Sequence, residues 1–274
     1  MQKIVFVSIP KCGTHLLLRY FDLAGFRHAG PYGQLLYDEP YEVIDNLGYG
    51  DYSAWHYRWS QRFLGHIVAA GAKVVFLYRD PRAYVVSSLH HVLRTRQHLL
   101  HKLFVENLPS DQERLLRLIR GFTDEELLRF APPTDKRYQP KPEDGKGPFS
   151  SFRGHVGVQG TGVNNVYRYY ARWLDEPFVF PVRFEDIIGP QGGGSRERQL
   201  TVLQDLLAFT GAREGSPDAE ALAGMLFSSD ATTFRKGQIG SWREEFTPEL
   251  YEVFLQESRE LLELWGYDPE EGLT

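Results

Sequence analysis

The sequence predicts an α/β protein, three layers deep around a central parallel sheet, and three observations predict it. Ile4-Val5-Phe6-Val7 is a continuous apolar run that reads as a buried strand, and a short turn leads from it into Leu16, Leu17, Leu18 and Tyr20, which read as a helix. Lys73–Tyr78 is a second apolar strand, ended by Arg79-Asp80-Pro81-Arg82. Asp80 is a good N-cap and Pro81 suits the first helical position, because a helix start wants a side-chain acceptor and tolerates a missing N–H. Third, strands and helices alternate along the chain, as parallel pairing requires.

Taken in order, strands are expected near 3–8, 73–78 and 178–183, and helices near 14–24, 81–100, 111–130, 163–174, 197–210 and 247–265. Gly25 would end the first helix as a C-cap. The segment 131–162 differs from its surroundings: Pro132, Pro133, Pro140, Pro142 and Pro148 are interspersed with glycines, which reads as an irregular loop. Gln191-Gly192-Gly193-Gly194-Ser195 reads as a flexible linker. No internal repeat is visible.

Composition sets bounds. The 274 residues suffice for a single α/β domain, 1–274, with a substantial core. A net charge of −5 disfavours wholesale nucleic-acid binding, so functional cations are expected to be few and local. A single Cys excludes an intrachain disulfide framework. No signal-type segment precedes the first strand, and no apolar run approaches the roughly 20 residues that span a bilayer. A cytoplasmic protein without a membrane span is the expectation.

The turn after the first strand, Pro10-Lys11-Cys12-Gly13-Thr14, has the composition of an anion-holding loop. N–H groups at a helix start point outward, the helix dipole favours an anion there, and Lys11 adds a full charge. The nucleotide-triphosphate pattern G-x-x-x-x-G-K-[ST] is absent, since Lys11 precedes the single glycine. Arg79 falls at the carboxyl end of its strand, where open α/β sheets bind ligands, and Ser87 lies about two turns into the next helix. Arg235-Lys236-Gly237 with Gly240 and Trp242 forms a third cationic, glycine-containing loop. Together these suggest a ligand with two separate anionic groups.

These segments resemble the sulfotransferases that use 3′-phosphoadenosine 5′-phosphosulfate (PAPS). Pro10–Thr14 resembles the family's P-K-[ST]-G-T loop for the 5′-phosphosulfate, and Arg79-Asp80-Pro81 through Ser87 resembles its R-[DN]-P…S segment for the 3′-phosphate. Phe184-Glu185-Asp186 is similar to its [YF]-E-D segment, and Arg235-Lys236-Gly237 to Trp242 resembles R-K-G-x-x-G-x-W. The segments occur in family order. The resemblance implies a sulfotransferase fold, similar to that of P-loop NTPases, in which residues 92–162 form a helical and loop insertion capping the acceptor pocket. It implies that PAPS is the cosubstrate, that PAP (adenosine 3′,5′-bisphosphate) is the product, and that no metal is needed. Lys11, Cys12, Gly13, Thr14, His15, Arg79, Ser87, Phe184, Arg235, Lys236 and Gly237 are the implied donor-binding residues.

Sulfuryl transfer asks a protein mainly to position groups and neutralise charge. Lys11 can stabilise the leaving phosphate oxygen, and an acceptor hydroxyl or amine needs a base near neutral pH, for which His is the natural side chain. His56 precedes the Arg79 strand at a spacing similar to that of the family's base. The chain departs from the family pattern at several points. Ala54 stands where Lys is frequent, Cys12 where Ser or Thr is usual, and His15 where Thr is usual. Leu16 replaces an adenine-stacking Trp, and the family's dimer motif is not recognisable at Phe246–Glu249.

His90, His91, His98 and His101 share one predicted helix, but further metal ligands do not stand out and a pocket-lining or solvated face is the simpler reading. The acceptor is unreadable, and lipid, sugar, peptide, phenol and antibiotic scaffolds all remain open. A non-catalytic PAP-binding protein and a Mg²⁺-dependent P-loop phosphotransferase are the rival readings.

Overall fold

The computed structural model describes residues 1–30, 40–123, 126, 160–213, 215–227 and 236–273. Five strands form one all-parallel sheet in the order β2-β3-β1-β4-β5: β1 Ile4–Ser8, β2 Arg27–His28, β3 Asp51–Trp55, β4 Lys73–Tyr78 and β5 Val179–Arg183. Helices flank it, as the alternating pattern predicts. β1 is central, pairing Ile4 with Tyr52 on one side and with Lys73 on the other. Ile4, Val5, Phe6 and Val7 are fully buried. That is the reason a continuous apolar run forms a strand here: both faces of a parallel sheet are covered, and each such side chain contributes roughly 1.5–3 kcal/mol by leaving water.

The chain folds as two compact units, residues 1–79 with 170–239 and residues 80–169 with 240–274. The first unit holds the whole sheet with α1 (Thr14–Leu23), α2 (Tyr41–Asp45), α3 (Gln61–Ala69), and, further along the chain, a short helix Phe184–Ile187 and the helices Arg196–Thr210 and Ala219–Leu226. Its aromatic core centres on Phe21, which stacks on Tyr52 at 4.7 Å and meets Phe6 at 5.7 Å. Two strands escape the sequence reading. β2 is only two residues long, and β3 carries the polar residues Asp51 and Ser53 into the sheet. They are tolerated because their polar atoms are paired. Arg27 Nε and Nη2 donate to the Asp51 carboxylate at 2.8 and 3.0 Å, Gly48 N–H donates to it at 2.9 Å, and Trp55 Nε1 donates to Ser53 Oγ at 2.9 Å.

The second unit holds α4 (Pro81–Arg94), α5 (Leu99–Asn107) and α6 (Asp111–Arg120), most of α7 (Val163–Ala171), and the C-terminal helix Pro248–Leu264. The expected start of α4 is present: Pro81 opens it and Asp80 Oδ1 accepts from Arg82 N–H at 2.8 Å. The single helix expected over 81–100 is two, because the helix stops at Thr95 and His98 caps a new one by accepting from Leu100 N–H. The helix expected over 111–130 ends at Arg120, since Gly121 turns out of the helical region with φ 91°. The loop expected over 131–162 lies, from 131 to 159, outside the described residues. Its flanks meet: Phe122 N–H donates to Gly160 O at 2.7 Å. Among the described residues no helix is long and apolar enough to cross a membrane.

Candidate functional site

Because every strand of the sheet runs the same way, the residues just after β1, β3, β4 and β5 emerge at one edge, the carboxyl edge. Those residues are the loop Ile9–Gly13, His56, Arg79 and Phe184. All belong to the first unit.

The loop after β1 is held in an unusual conformation. Lys11 has φ 66°, a left-handed geometry that a side chain disfavours, and Gly13 follows with φ 93°. Strain of this kind persists only where the surroundings enforce it. Gly13 has a second reason to lack a side chain, since a Cβ there would lie 2.5 Å from Phe184 Cδ2. Gly13 also heads α1, which starts with no side-chain cap and no acidic residue in its first turn. Elsewhere Ser60, Asp80, Ser110 and Ser195 place a side-chain acceptor on the first N–H groups of their helices. The start of α1 is thus left to attract an external anion beside Lys11. Cys12 is fully buried beneath the loop and Thr14 nearly so, while His15 reaches the surface, where partial desolvation and the charge of Lys11 lower its pKa.

Phe184 links this loop to Arg79. Its ring is buried against Gly13 on one side, and the Arg79 guanidinium lies over it at 4.2 Å. Arg79 Nη2 also donates to Gln238 O at 3.3 Å, which fixes Arg79 against the segment containing Lys236 and Gly237. That segment rests on the Gly-rich turn 191–194. Ile239 N–H donates to Gly192 O at 2.9 Å, and Gln238 Nε2 donates to Gln191 O at 2.7 Å. A Cβ at Gly192 would lie 2.2 Å from Ile188 Cγ1 and 2.7 Å from Gly237 O. The turn read from sequence as a linker is therefore a seat for the Lys236–Gly237 loop, with Gly192 and Gly194 required by close packing and Gly193 by its φ of 81°. A glycine run carries no side-chain signal of such a contact.

His56 follows β3 directly. Its Nδ1 lies 2.9 Å from Ser8 O and 3.1 Å from Ser8 Oγ. A carbonyl can only accept, so Nδ1 carries the proton and Nε2 is the basic nitrogen. Ser8 Oγ lies in turn 2.9 Å from Thr14 Oγ1, so a hydroxyl chain ties the His56 ring to the start of α1. Tyr170 OH donates to His56 O at 3.2 Å and fixes the backbone; burial raises the Tyr170 pKa and keeps it a neutral donor. Burial, and to a smaller degree the charges of Lys11 and His15, lowers His56 from 6.5 to about 4, against the opposing pull of the Ser8 carbonyl. The imidazole is neutral at physiological pH.

The first unit thus brings together Lys11, Cys12, Gly13, Thr14, His15, His56, Arg79, Phe184, Lys236 and Gly237. Ser87 is on α4 in the second unit, partly exposed. Arg235 lies outside the described residues. Ala54, where the resemblance leads one to look for a Lys, is buried in β3 beside Phe6. Among the described residues no group of three or more His, Cys, Asp or Glu is placed to hold a metal ion.

No family model and no curated protein matches the chain. Solved structures do. The mouse sulfotransferase SULT7A1 complexed with PAP matches 97% of this chain and 89% of its own, with a TM-score of 0.52 and 17% identity. Retinol dehydratase in complex with androsterone and the inactive cofactor PAP matches 95% of this chain and 80% of its own, with a TM-score of 0.56 and 13% identity. The chain has the sulfotransferase fold.

Proposed function

We propose that the protein is a PAPS-dependent sulfotransferase acting on a hydroxyl or amine of a small-molecule, sugar or lipid acceptor. The observation that carries this reading is the uncapped start of α1, with Lys11 and Gly13 both at positive φ, at the same sheet edge as His56 and Arg79. The likeness to PAP-bound sulfotransferases supports it. The residues fit such a donor, because the loop offers a cation and outward N–H groups and lacks any carboxylate of its own. PAPS supplies an activated sulfuryl group whose bridging oxygen leaves with the 5′-phosphate.

The chain's residues then have distinct tasks. Lys11 and the N–H groups of Gly13 and Thr14 neutralise the leaving phosphate, with Cys12 and His15 completing the loop. Arg79, Ser87, Arg235, Lys236 and Gly237 hold the 3′-phosphate, and Phe184 completes the donor site by keeping Gly13 and Arg79 in place. His56 takes the acceptor's proton on Nε2 while Ser8 O holds Nδ1–H. Its low pKa keeps the base unprotonated, and an anion beside Lys11 raises that pKa toward the useful range by cancelling the nearby positive charge. The residues of 92–162 cap the acceptor, and the sheet and its insertion act as a single domain.

The test is turnover. The purified protein is incubated with ³⁵S-labelled PAPS and a panel of phenols, sugars, sterols and amines, and labelled products are separated. Transfer of label to an organic acceptor, lost in His56→Ala, is expected. Turnover unchanged in His56→Ala assigns the base elsewhere, and a protein that binds PAP but transfers to no acceptor in the panel favours the non-catalytic reading.

A further inference from the structure

Arg82 is fully buried, which for a guanidinium demands a complete set of partners. Its partners come from the C-terminal segment as well as from its own helix. Nε and Nη2 donate to the Asp80 carboxylate at 2.9–3.1 Å. Nη1 donates to Asp268 O at 3.2 Å and Glu271 O at 3.1 Å, and Nη2 donates to Glu271 Oε2 at 3.2 Å. The guanidinium lies over the Trp242 ring at 4.5 Å.

Arg243 repeats the arrangement from the other segment. It lies over Trp242 at 4.7 Å, donates from Nε to Gly272 O at 2.8 Å, and donates from Nη2 to Glu271 Oε1 at 2.6 Å. Glu271 therefore takes one arginine on each carboxylate oxygen. Tyr251 stacks on Trp242 at 5.6 Å and donates its hydroxyl to Pro269 O and Glu271 O, both at 3.0 Å.

Arg82 sits three residues after Arg79, and Trp242 follows Gly240 at the end of the Lys236–Gly237 loop. We propose that Arg82, Arg243 and Glu271 are positioning residues through which the C-terminal segment Asp268–Gly272 straps the start of α4 to the turn after that loop, and so sets affinity for the donor's 3′-phosphate. This rests on the donor-site reading above. The chemistry explains the choice of residues. A planar guanidinium can serve a carboxylate and a ring face at once, which Lys cannot, and one carboxylate can accept from two arginines. Among the described residues, Glu271 is bound to Arg82 on α4 and to Arg243 in the turn, so the route to the 3′-phosphate that the variants test runs through α4 and the turn.

The experiment compares PAP with AMP, which lacks the 3′-phosphate, by calorimetric titration of the full chain, its Glu271→Ala variant and the milder Glu271→Gln. Glu271→Ala is expected to weaken PAP binding about tenfold, the equivalent of one charge-assisted hydrogen bond, and to leave AMP affinity unchanged. Glu271→Gln keeps one acceptor oxygen for one of the two arginines, its amide N–H2 being a donor, and is expected to recover part of the loss. Hydrogen exchange read in parallel should speed up at the amides of Arg243, Glu245 and Phe246, which close the turn by donating to Gly240 O and Trp242 O. PAP and AMP weakening together, or PAP unaffected, overturns the positioning role. Unchanged exchange in Glu271→Ala overturns the strap itself. A parent chain that does not distinguish PAP from AMP overturns the donor-site reading and this inference with it.

Discussion

Gly13→Ala offers a test of the site whose magnitude can be worked from the structure. Gly13 sits at φ 93°, where a Cβ meets backbone atoms at a cost of roughly 1–2 kcal/mol. The same Cβ would approach Phe184 Cδ2 to 2.5 Å and Cε2 to 2.8 Å, and Phe184 is buried, so the ring cannot step aside into solvent. Overpacking of that kind costs roughly 1–3 kcal/mol. The total of about 2–5 kcal/mol is expected to lower Tm by roughly 3–9 °C in a chain of this size. Chemical denaturation of Gly13→Ala, Phe184→Ala and the double variant separates the two parts. Removing the ring relieves the steric part alone, so the double variant should be about 1–3 kcal/mol less destabilised than the sum of the single ones. Additive effects would refute the claim that Gly13 is glycine because Phe184 packs there. Because Arg79 rests on the same ring, Gly13→Ala should also weaken PAP binding.

Other outcomes follow from the same geometry. Arg79→Ala should weaken PAP binding by roughly ten- to a hundredfold, the loss of a charge-assisted contact, and equal affinities by calorimetry would remove Arg79 from the site. His56→Ala should depress turnover while leaving PAP affinity nearly intact. An NMR titration should place His56 at about 4 in the free protein and higher with PAP bound; a value near 6.5 in the free protein would contradict the buried, cation-flanked setting. The sign for stability follows. With a folded value near 4 and an unfolded value of 6.5, the unfolded state binds more protons between them, so stability falls as pH drops from about 6.5 to about 4. About 2–3 kcal/mol is at stake after allowance for the ring's partial exposure, and His56→Gln should flatten that part of the profile measured by denaturation. Gly192→Ala should loosen the Lys236–Gly237 loop and lower PAP affinity more than AMP affinity, whereas a uniform loss would mark the turn as a fold element only.

How much of this is legible in the sequence depends on where the signal resides. β1, β4 and the start of α4 can be read because their causes are local: continuous apolar runs, Asp80 as cap, Pro81 at the first turn. The loop proposed to hold an anion is legible for the same reason, as Lys11 and Gly13 follow directly on a strand. β3 is hidden because Asp51 and Ser53 break its apolar pattern, and their partners, Arg27 and Trp55, become evident only once the strands are aligned. The helix over 81–100 is divided because His98 caps through its ring nitrogen, a role its residue type does not advertise. The seat formed by Gln191–Gly194 and the strap at Glu271 are wholly tertiary. Glu271 meets Arg82 across 189 residues, and no spacing rule reaches that far.

The measurement that bears most directly on the central claim is calorimetric titration of the protein with PAP, compared with ADP plus Mg²⁺. Tight PAP binding that needs no metal and drops when the 3′-phosphate is absent is expected. No PAP binding, or a preference for ADP with Mg²⁺, would contradict it and move the phosphotransferase reading to the front.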